Sequence, residues 1–397
     1  MILHSKISPV IKAIFVRRNP VKAPGFTLIE LAVSTAVLTI ILLVLVGVTN
    51  QTSSIWRRTT SKVEQFRDAR TAFESMSTRI SQATLNTYLD YDNPTAPTKF
   101  ERRSELRFVS GLATTLFQST PLKSTAVTHA IFFQAPFGVT AKPATGHPGT
   151  FQYEGFENLL CSWGYYLNYD SDQTFRPAIL PTSVLPLRYR YRLMELWQPA
   201  EQNFIYTFTS NGGAGTYRGY DWFTNALTAP SSSTNPTEVH VLAENIIALI
   251  LTPRLSPQDE QAYKGSLTVA NADYSPLAPK YSYDTSPVTT SNAQTSDNRL
   301  NPVSQLPPLV QVTMVALDET SASLMTSKQL TGLAALLGSA FQDTSQYSTD
   351  LLNQSAGSNT TNSGSLETYL IQNHLNYRIF NTNVMIRGAK WSRTQSN

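Results

Sequence analysis

An uninterrupted apolar run near the N-terminus most constrains how this chain can fold. Residues Leu31 to Val48 read LAVSTAVLTIILLVLVGV, which is 18 residues without a charged side chain. A run of this length is at the threshold for a helix that spans the hydrocarbon core of a bilayer. The mostly apolar stretch from Phe26 to Ile29 lengthens it. The sequence therefore predicts a transmembrane helix over residues 26–48.

Charged residues flank this run unequally. Residues 1–25 hold five basic side chains and no acid, namely Lys6, Lys12, Arg17, Arg18 and Lys22, whereas only Arg57 and Arg58 follow the run closely. Since basic residues favour the cytoplasmic side, we expect a single-pass protein of the inner (cytoplasmic) membrane. Its N-terminus would be cytoplasmic and its C-terminal domain periplasmic or extracellular. A secretory signal would end in a small-x-small cleavage site after a shorter apolar core, which this run lacks.

Glu30 distinguishes a plain signal anchor from a processed segment. A carboxylate at this depth costs about 3 kcal/mol unless it is paired, so such residues are usually functional. The surrounding string is Pro24-Gly25-Phe26-Thr27-Leu28-Ile29-Glu30-Leu31. It resembles the N-terminal signal of type IV prepilins and type II secretion pseudopilins. The resemblance implies that a prepilin peptidase/methyltransferase cuts between Gly25 and Phe26 and methylates the new N-terminus, so that residues 1–25 are a basic leader peptide.

The same resemblance implies how the subunits would assemble. The amine on Phe26 of one subunit would pair with the Glu30 carboxylate of its neighbour, and each charge would offset the desolvation of the other. The expected partners are therefore the peptidase, other pilin or pseudopilin subunits through the N-terminal helix, and the membrane. Two further strings, Arg67–Met76 and Leu242–Ile246, are similar to large minor subunits of the J or W type. Together with Asn376–Phe380 and the length of 397 residues, they resemble the group called Verru_Chthon cassette protein C.

A helical stripe continues beyond the apolar run. Its members recur at intervals of three and four residues: Val63, Phe66, Ala69, Phe73, Met76, Ile80 and Ala83. Such spacing places them on one face of a helix. We expect residues 49–90 to form an amphipathic continuation that packs on a sheet, with a coiled-coil seam as the alternative. One helix would then run from about Phe26 to Leu89, ended by Asp92-Asn93-Pro94.

The region 91–397 is predicted to be an exported β-rich globular domain. Candidate strands are Leu106–Val109, Ala130–Phe133, Trp163–Tyr169, Leu187–Leu193, Phe204–Phe208, Val239–Leu251, Val310–Ala316 and Tyr377–Ile386, and candidate helices are Ser327–Phe341 and Leu366–His374. Long Ser/Thr/Pro-rich stretches near 255–308 and 342–365 are typical of flexible insertions. The predicted fold class is α+β and pilin-like, with a long N-terminal helix on an antiparallel sheet.

Net charge and the basic residues give no support for nucleic-acid binding. Without the leader, 26 basic residues face 27 acidic ones, so the formal charge of +4 comes from residues 1–25. The alternation of Arg188, Arg190 and Arg192 predicts a half-buried strand with the arginines on its solvent face. Tyr189 and Tyr191, which alternate with these arginines, would lie on the opposite face of the strand. This arrangement argues against a nucleic-acid site in which tyrosines stack on bases beside the arginines. No nucleic acid is expected as a partner.

Motifs for enzymatic chemistry are not found. The five histidines have no paired spacing, and the glycines of 213–219 do not follow a phosphate-loop pattern and predict a hairpin turn instead. Asn168, Asp170 and Asp172 alternate like the start of a calcium loop, but Gln173 stands where such a loop needs glycine. The single cysteine, Cys161, predicts a small buried residue. We expect no catalytic residue, no metal site and no cofactor.

These observations predict a non-enzymatic minor pilin- or pseudopilin-like subunit of a type IV pilus or type II secretion-like filament. The large exported domain favours a position at the tip. The alternative is a membrane-tethered exported binding module that does not polymerise. A tethered exported enzyme is a third possibility, and it would need a polar cleft with clustered acids or histidines.

Overall fold

The computed structural model describes Gly25 and residues 27–391, with gaps. Residues not described within this range are 94, 119, 142–150, most of 174–184, 208–218, 229–237, 265–271, 287–299 and 354–363. Contacts divide the chain into two compact units, Met1–Thr60 and Ser61–Asn397. The protein is α+β, with an apolar N-terminal helix and antiparallel sheets.

The longest element is the helix α1, which covers Leu28–Ile80. Its last third belongs to the second unit and carries the predicted apolar stripe. Ala69, Phe73, Met76 and Ile80 are buried in the largest core of that unit, as the 3-4 spacing predicts, and Ala72 joins them. The side chain of Val63 lies outside the described residues. This face of α1 provides one wall of the core.

The helix ends earlier than the sequence predicts. After Ile80 the chain turns, and the N–H of Thr84 donates to the carbonyl of Gln134 at 2.9 Å. Strand β1 (Tyr88–Tyr91) then pairs with β2 (Phe100–Arg103) as a separate two-stranded sheet. Asp92, expected to help stop the helix, lies in the connection of this hairpin instead, since the N–H groups of Thr98 and Lys99 donate to its carboxylate.

A six-stranded antiparallel sheet forms the larger part of the second unit. Its order is β7-β6-β5-β4-β3-β9. The strands are β3 (Val109–Leu112), β4 (Ala126–Pro136), β5 (Leu160–Ser171), β6 (Tyr189–Gln198), β7 (Glu238–Glu244) and β9 (Tyr283–Asp284). The predicted strands Ala130–Phe133 and Trp163–Tyr169 lie within β4 and β5.

A second, three-stranded sheet has the order β11-β10-β8. Its strands are β8 (Ile246–Arg254), β10 (Leu309–Leu317) and β11 (Tyr377–Met385). Residues 239–251 are therefore not one strand. Asn245, whose φ of 60° is left-handed, separates β7 in one sheet from β8 in the other, because this conformation breaks the extended backbone.

Two side chains of β4 cover the outer edge of β8. The register of β4 shifts between Val127 and Ala130, where Thr128 has a φ of 53°. Thr128 Oγ1 accepts the N–H of Leu249 at 3.1 Å, and His129 Nδ1 accepts the N–H of Leu251 at 3.0 Å. These bonds join the edge strand β8 of the three-stranded sheet to β4, an interior strand of the six-stranded sheet.

Short helices cover the remaining faces. They are α2 (Ala113–Leu116), α3 (Phe204–Thr207), α4 (Asp221–Thr228), α5 (Pro257–Lys264), α6 (Glu319–Leu324), α7 (Ser327–Ser339), α8 (Tyr347–Leu351) and α9 (Leu366–Gln372). The main core contains α1 residues together with residues of both sheets. Residues of α2 and α4 share a second core with the six-stranded sheet, and residues of α7 and α9 share a third with β8 and β10.

Some segments predicted as strand or loop differ from the structure. Phe204–Thr207 is helical, and Asn203 Oδ1 accepts the N–H of Ile205 at its start. Within the stretch predicted to be flexible near 255–308, Tyr281 and Tyr283 are fully buried. Within 342–365, Tyr347 and Leu351 are buried in α8. Aromatic residues spaced through polar sequence anchor these segments to the core, and this is not visible as a periodicity.

Candidate functional site: the start of the long helix

The predicted processing residues precede the first turn of α1. Gly25 is exposed, and a methyl group built on it would have no atom within 4 Å beyond its chain neighbours. Phe26 and residues 1–24 lie outside the described residues. Thr27 immediately precedes the helix, and Glu30 lies in its first turn. Both side chains are exposed within their unit.

Glu30 and Thr27 form a reciprocal hydrogen-bonded pair. The N–H and the hydroxyl of Thr27 donate to Glu30 Oε2 at 3.0 and 2.9 Å. In return, the N–H of Glu30 donates to Thr27 Oγ1 at 3.4 Å. This is a capping box, in which a Thr and a Glu three residues later satisfy free N–H groups at a helix start. The Thr-x-x-Glu spacing is visible in the sequence, but the predictions considered Glu30 only as a contact between subunits.

The helix after Glu30 is mainly apolar as far as Val48. The most apolar 18 residues of Leu28–Trp56 have a mean hydropathy of 2.8, no residue of this segment is buried, and the segment is long and apolar enough to cross a membrane. Three of its threonine hydroxyl groups bond to the helix itself. Thr35, Thr39 and Thr49 each donate to the carbonyl four residues earlier, at 2.7 to 3.0 Å. This arrangement leaves fewer unsatisfied polar groups in an apolar environment.

A second polar cluster, in the other unit, connects α1 to the six-stranded sheet. Its centre is Glu195 on β6, which is 2% exposed. Arg79 of α1 donates to Glu195 Oε1, and its guanidinium carbon lies 4.5 Å from the ring centroid of Trp163. Trp163 Nε1 and the Tyr165 hydroxyl donate to the same oxygen at 2.7 Å. His240 Nε2 lies 2.8 Å from Glu195 Oε2. We refer to these five residues as the Glu195 cluster.

Glu195 is held ionised in this cluster. Burial alone would raise its pKa, but the hydrogen bonds from His240, Tyr165 and Trp163 and the charge of Arg79 outweigh burial and lower the pKa to about 2. Each donor stabilises the charged carboxylate. The Glu195 carboxylate therefore stays charged at neutral pH, and its contact with Arg79 holds α1 against the sheet.

Of the three arginines predicted to face solvent, Arg188 just before β6 is exposed, but the two within β6 are not. The side chain of Arg192 is 3% exposed, and that of Arg190 is 14% exposed. Arg190 pairs with Glu244 at 3.1 Å and with Glu319 at the start of α6. The prediction was wrong for these two residues because carboxylates from other elements cover both arginines. The guanidinium N–H groups of both arginines therefore bond to other groups of the protein itself.

Other candidate residues have roles within the fold. Asp172 accepts from Arg176 at 2.9 Å and from the N–H of Arg188 at 3.1 Å. The Cys161 thiol is buried, which raises its pKa to about 11. Among the residues that the structure describes, no group of three His, Cys, Asp or Glu side chains could hold a metal ion. Most of the predicted turn at 213–219 lies outside those residues.

Comparison of the chain with protein-family models, with curated proteins and with solved structures found no match.

Proposed function

We propose that this chain is a non-enzymatic minor subunit of a type IV pilus or type II secretion-like filament. It is cut after Gly25 by a prepilin peptidase/methyltransferase and assembles through its N-terminal helix. The observation that carries the proposal is Glu30, a carboxylate in the first turn of a helix that has no other charged side chain as far as Trp56. It follows a Gly-Phe pair at the spacing of the prepilin signal.

Two features of the helix support this reading. Its first 29 residues, Leu28–Trp56, have the length and composition of a membrane span. Residues of its last turns are built into the core of a folded domain. A single helix that combines an apolar, unburied first part with a packed last part suits a subunit that is stored in the membrane and assembled through that first part. The domain would lie outside the cytoplasm, as the charge bias predicts.

The capping box allows a sharp test of Glu30. Glutamine at this position retains the capping geometry, since Gln serves as well as Glu in the motif, but it carries no charge. We expect Glu30→Gln to insert in the membrane normally and to be absent from sheared filaments. Thr27→Val is the matched control, because it disrupts the cap and keeps the carboxylate, and it should still assemble.

A non-polymerising tethered module predicts a different outcome. In that case the carboxylate would serve only to cap the helix, so Glu30→Gln would behave like the unmodified protein in location and activity. Normal recovery of Glu30→Gln in filaments would reject charge pairing between subunits.

The processing step is tested independently by the N-terminal residue and mass of protein recovered from membranes. We expect a chain that begins at Phe26 and is one methyl group heavier than simple cleavage gives. Gly25→Val, which changes the residue before the proposed cut, should retain residues 1–25. Recovery of the unmodified protein with its leader intact would reject prepilin processing and favour a tethered binding module.

A further inference from the structure

The outer edge of β11 is an exposed strand of nine residues. In the three-stranded sheet β11 pairs with β10 only. We call its free side, residues 377–385, the β11 edge. Unpaired edges bind other strands readily, and folded proteins usually cover or charge them. This fold covers the opposite edge of the same sheet, where Thr128 and His129 accept N–H groups of β8.

The bonds at β8 also establish which groups of β11 face outward. The N–H of Leu251 points away from β10, so its pair with Val312 is not hydrogen-bonded. In an antiparallel sheet the hydrogen bonds of Val312 must then go to its partner on β11, Thr382. Alternation along β11 directs the N–H and C=O of Ile379, Asn381, Asn383 and Met385 outward. Within the described part of the chain, these backbone groups have no hydrogen-bond partner.

A groove accompanies this edge. It has a volume of about 520 Å³ and is lined by residues 378–382 of β11 and by α1, including Arg70, Phe73 and Glu74. Phe73 and Phe380 meet in it with ring centroids 5.7 Å apart. A strand added at the β11 edge would direct every second side chain toward this groove. Backbone pairing with pockets for alternate side chains is the usual mode of strand addition.

The charge at the groove indicates an acidic ligand. Arg70 is already paired with Glu74 at 2.7 Å. Arg378 is exposed and lies over the ring of Phe380 at 5.6 Å. It has no ion-pair partner among the residues described. β11 contains no carboxylate of its own, so a carboxylate on an incoming segment would supply the missing charge.

We propose that the β11 edge binds an extended polypeptide segment of another protein, which adds as a fourth strand and places an acidic side chain beside Arg378. The inference concerns the exported domain and does not depend on filament assembly. It adds a specific binding surface to a chain whose proposed assembly contact lies at the other end of α1.

The test uses the full chain in detergent and a fluorescent nine-residue peptide of alternating valine and threonine with a glutamate near each end. Anisotropy should report binding. A peptide that is N-methylated at every second residue should bind at least about tenfold more weakly, because its pairing N–H groups are removed. Replacing its glutamates by glutamine should weaken binding to the unmodified protein and not to Arg378→Gln.

Variants of the edge provide the matched comparison. Asn381→Pro removes an outward N–H, which an edge strand tolerates, and it should reduce binding about tenfold. Asn381→Ser changes the same side chain, retains the N–H and should bind normally. Hydrogen exchange of the backbone shows whether the proline variant is folded, since a folded variant should exchange like the unmodified protein outside the β11 edge. In the unmodified protein, the backbone N–H groups of Asn381 and Asn383 should exchange fast and become protected when the peptide is added.

Three results would overturn the proposal. Equal binding of the N-methylated peptide would show that backbone pairing is not involved. Protected Asn381 and Asn383 amides in the free, monomeric protein would show that the chain covers its own edge. A concentration-dependent dimer that Asn381→Pro abolishes would identify a second copy of this chain as the occupant.

Discussion

The guanidinium of Arg79 donates a hydrogen bond to the buried carboxylate of Glu195, across 116 positions of sequence. Arg79 lies in the last turn of α1, and Glu195 lies in the middle of β6. The same guanidinium covers the ring of Trp163. This contact fixes the end of the long helix on the sheet, beside the apolar contacts of Phe73 and Met76.

Loss of Arg79 is expected to destabilise the second unit, Ser61–Asn397. Arg79→Met leaves the Glu195 charge buried without its cation, which costs several kcal/mol in a fully buried pair. The Arg79 side chain is 34% exposed, so solvent screening reduces the expected loss to about 2 kcal/mol. The measurement is urea unfolding of the full chain in detergent, monitored by tryptophan fluorescence.

Arg70→Met is the control. The pair of Arg70 with Glu74 is exposed, so its loss should change the free energy of unfolding by less than about 0.5 kcal/mol. Similar losses in both variants would contradict a special role for the buried contact.

Acid should weaken the Glu195 cluster. The pKa of Glu195 is about 2 in the folded protein, below the ordinary 4.5, so the unfolded chain binds a proton more readily. The stabilisation is complete above pH 4.5 and is lost as the pH falls toward 2, by roughly 3 kcal/mol. Glu195→Gln should be less stable at neutral pH and should lose this slope. Parallel stability curves for both proteins between pH 4.5 and 2 would exclude Glu195 as the titrating group.

A second titration is expected at a higher pH from His129. This side chain is fully buried, and burial lowers its pKa to about 4. Its Nδ1 accepts the N–H of Leu251, so the ring hydrogen is on Nε2 and donates to the Phe341 carbonyl at 3.1 Å. A protonated ring would lose the first bond.

The unfolded chain binds this proton near pH 6.5, so stability should fall between pH 6.5 and 4, by roughly 3 kcal/mol. His129→Gln can still accept one bond and donate another, and it should remove the slope in this interval. The check is a series of urea unfolding curves from pH 7 to 4. An unchanged slope in His129→Gln would assign the titration to another group.

The sequence predicted the elements with strong local periodicity. The predicted strand at 310–316 and the predicted helices at 327–341 and 366–374 correspond to β10, α7 and α9 within a few residues. The stripe of α1 was equally visible, because burial of one helix face imposes a 3.6-residue period. Thr27 and Glu30 could also have been recognised as a helix cap from their spacing alone.

Contacts distant in sequence could not be predicted in this way. Glu195 lies in a strand whose alternation suggested only one buried face, and its donors come from α1, β5 and β7. Arg190 and Arg192 were wrongly predicted to face solvent because their covering carboxylates, Glu244 and Glu319, are far along the chain. The break at Asn245 depends on the packing of two sheets. Such features are set by topology, and local propensity carries no information about them.

Two glycines should respond oppositely to alanine. An ideal Cβ on Gly164 in β5 would lie 2.1 Å from Phe132 Cδ1 and 3.1 Å from the Ile131 carbonyl oxygen. Phe132 cannot move away easily, since it is fully buried and stacked on Phe223 with ring centroids 4.0 Å apart. Overpacking of this kind costs about 1–3 kcal/mol.

Gly338 in α7 has no atom within 4 Å of the added methyl group, so alanine there should stabilise the helix by about 0.5–1 kcal/mol. Urea unfolding of Gly164→Ala and Gly338→Ala measures both changes. A stable Gly164→Ala protein would mean that Phe132 and Phe223 repack, and loss of their close stacking would then be visible as a change in the near-UV circular dichroism.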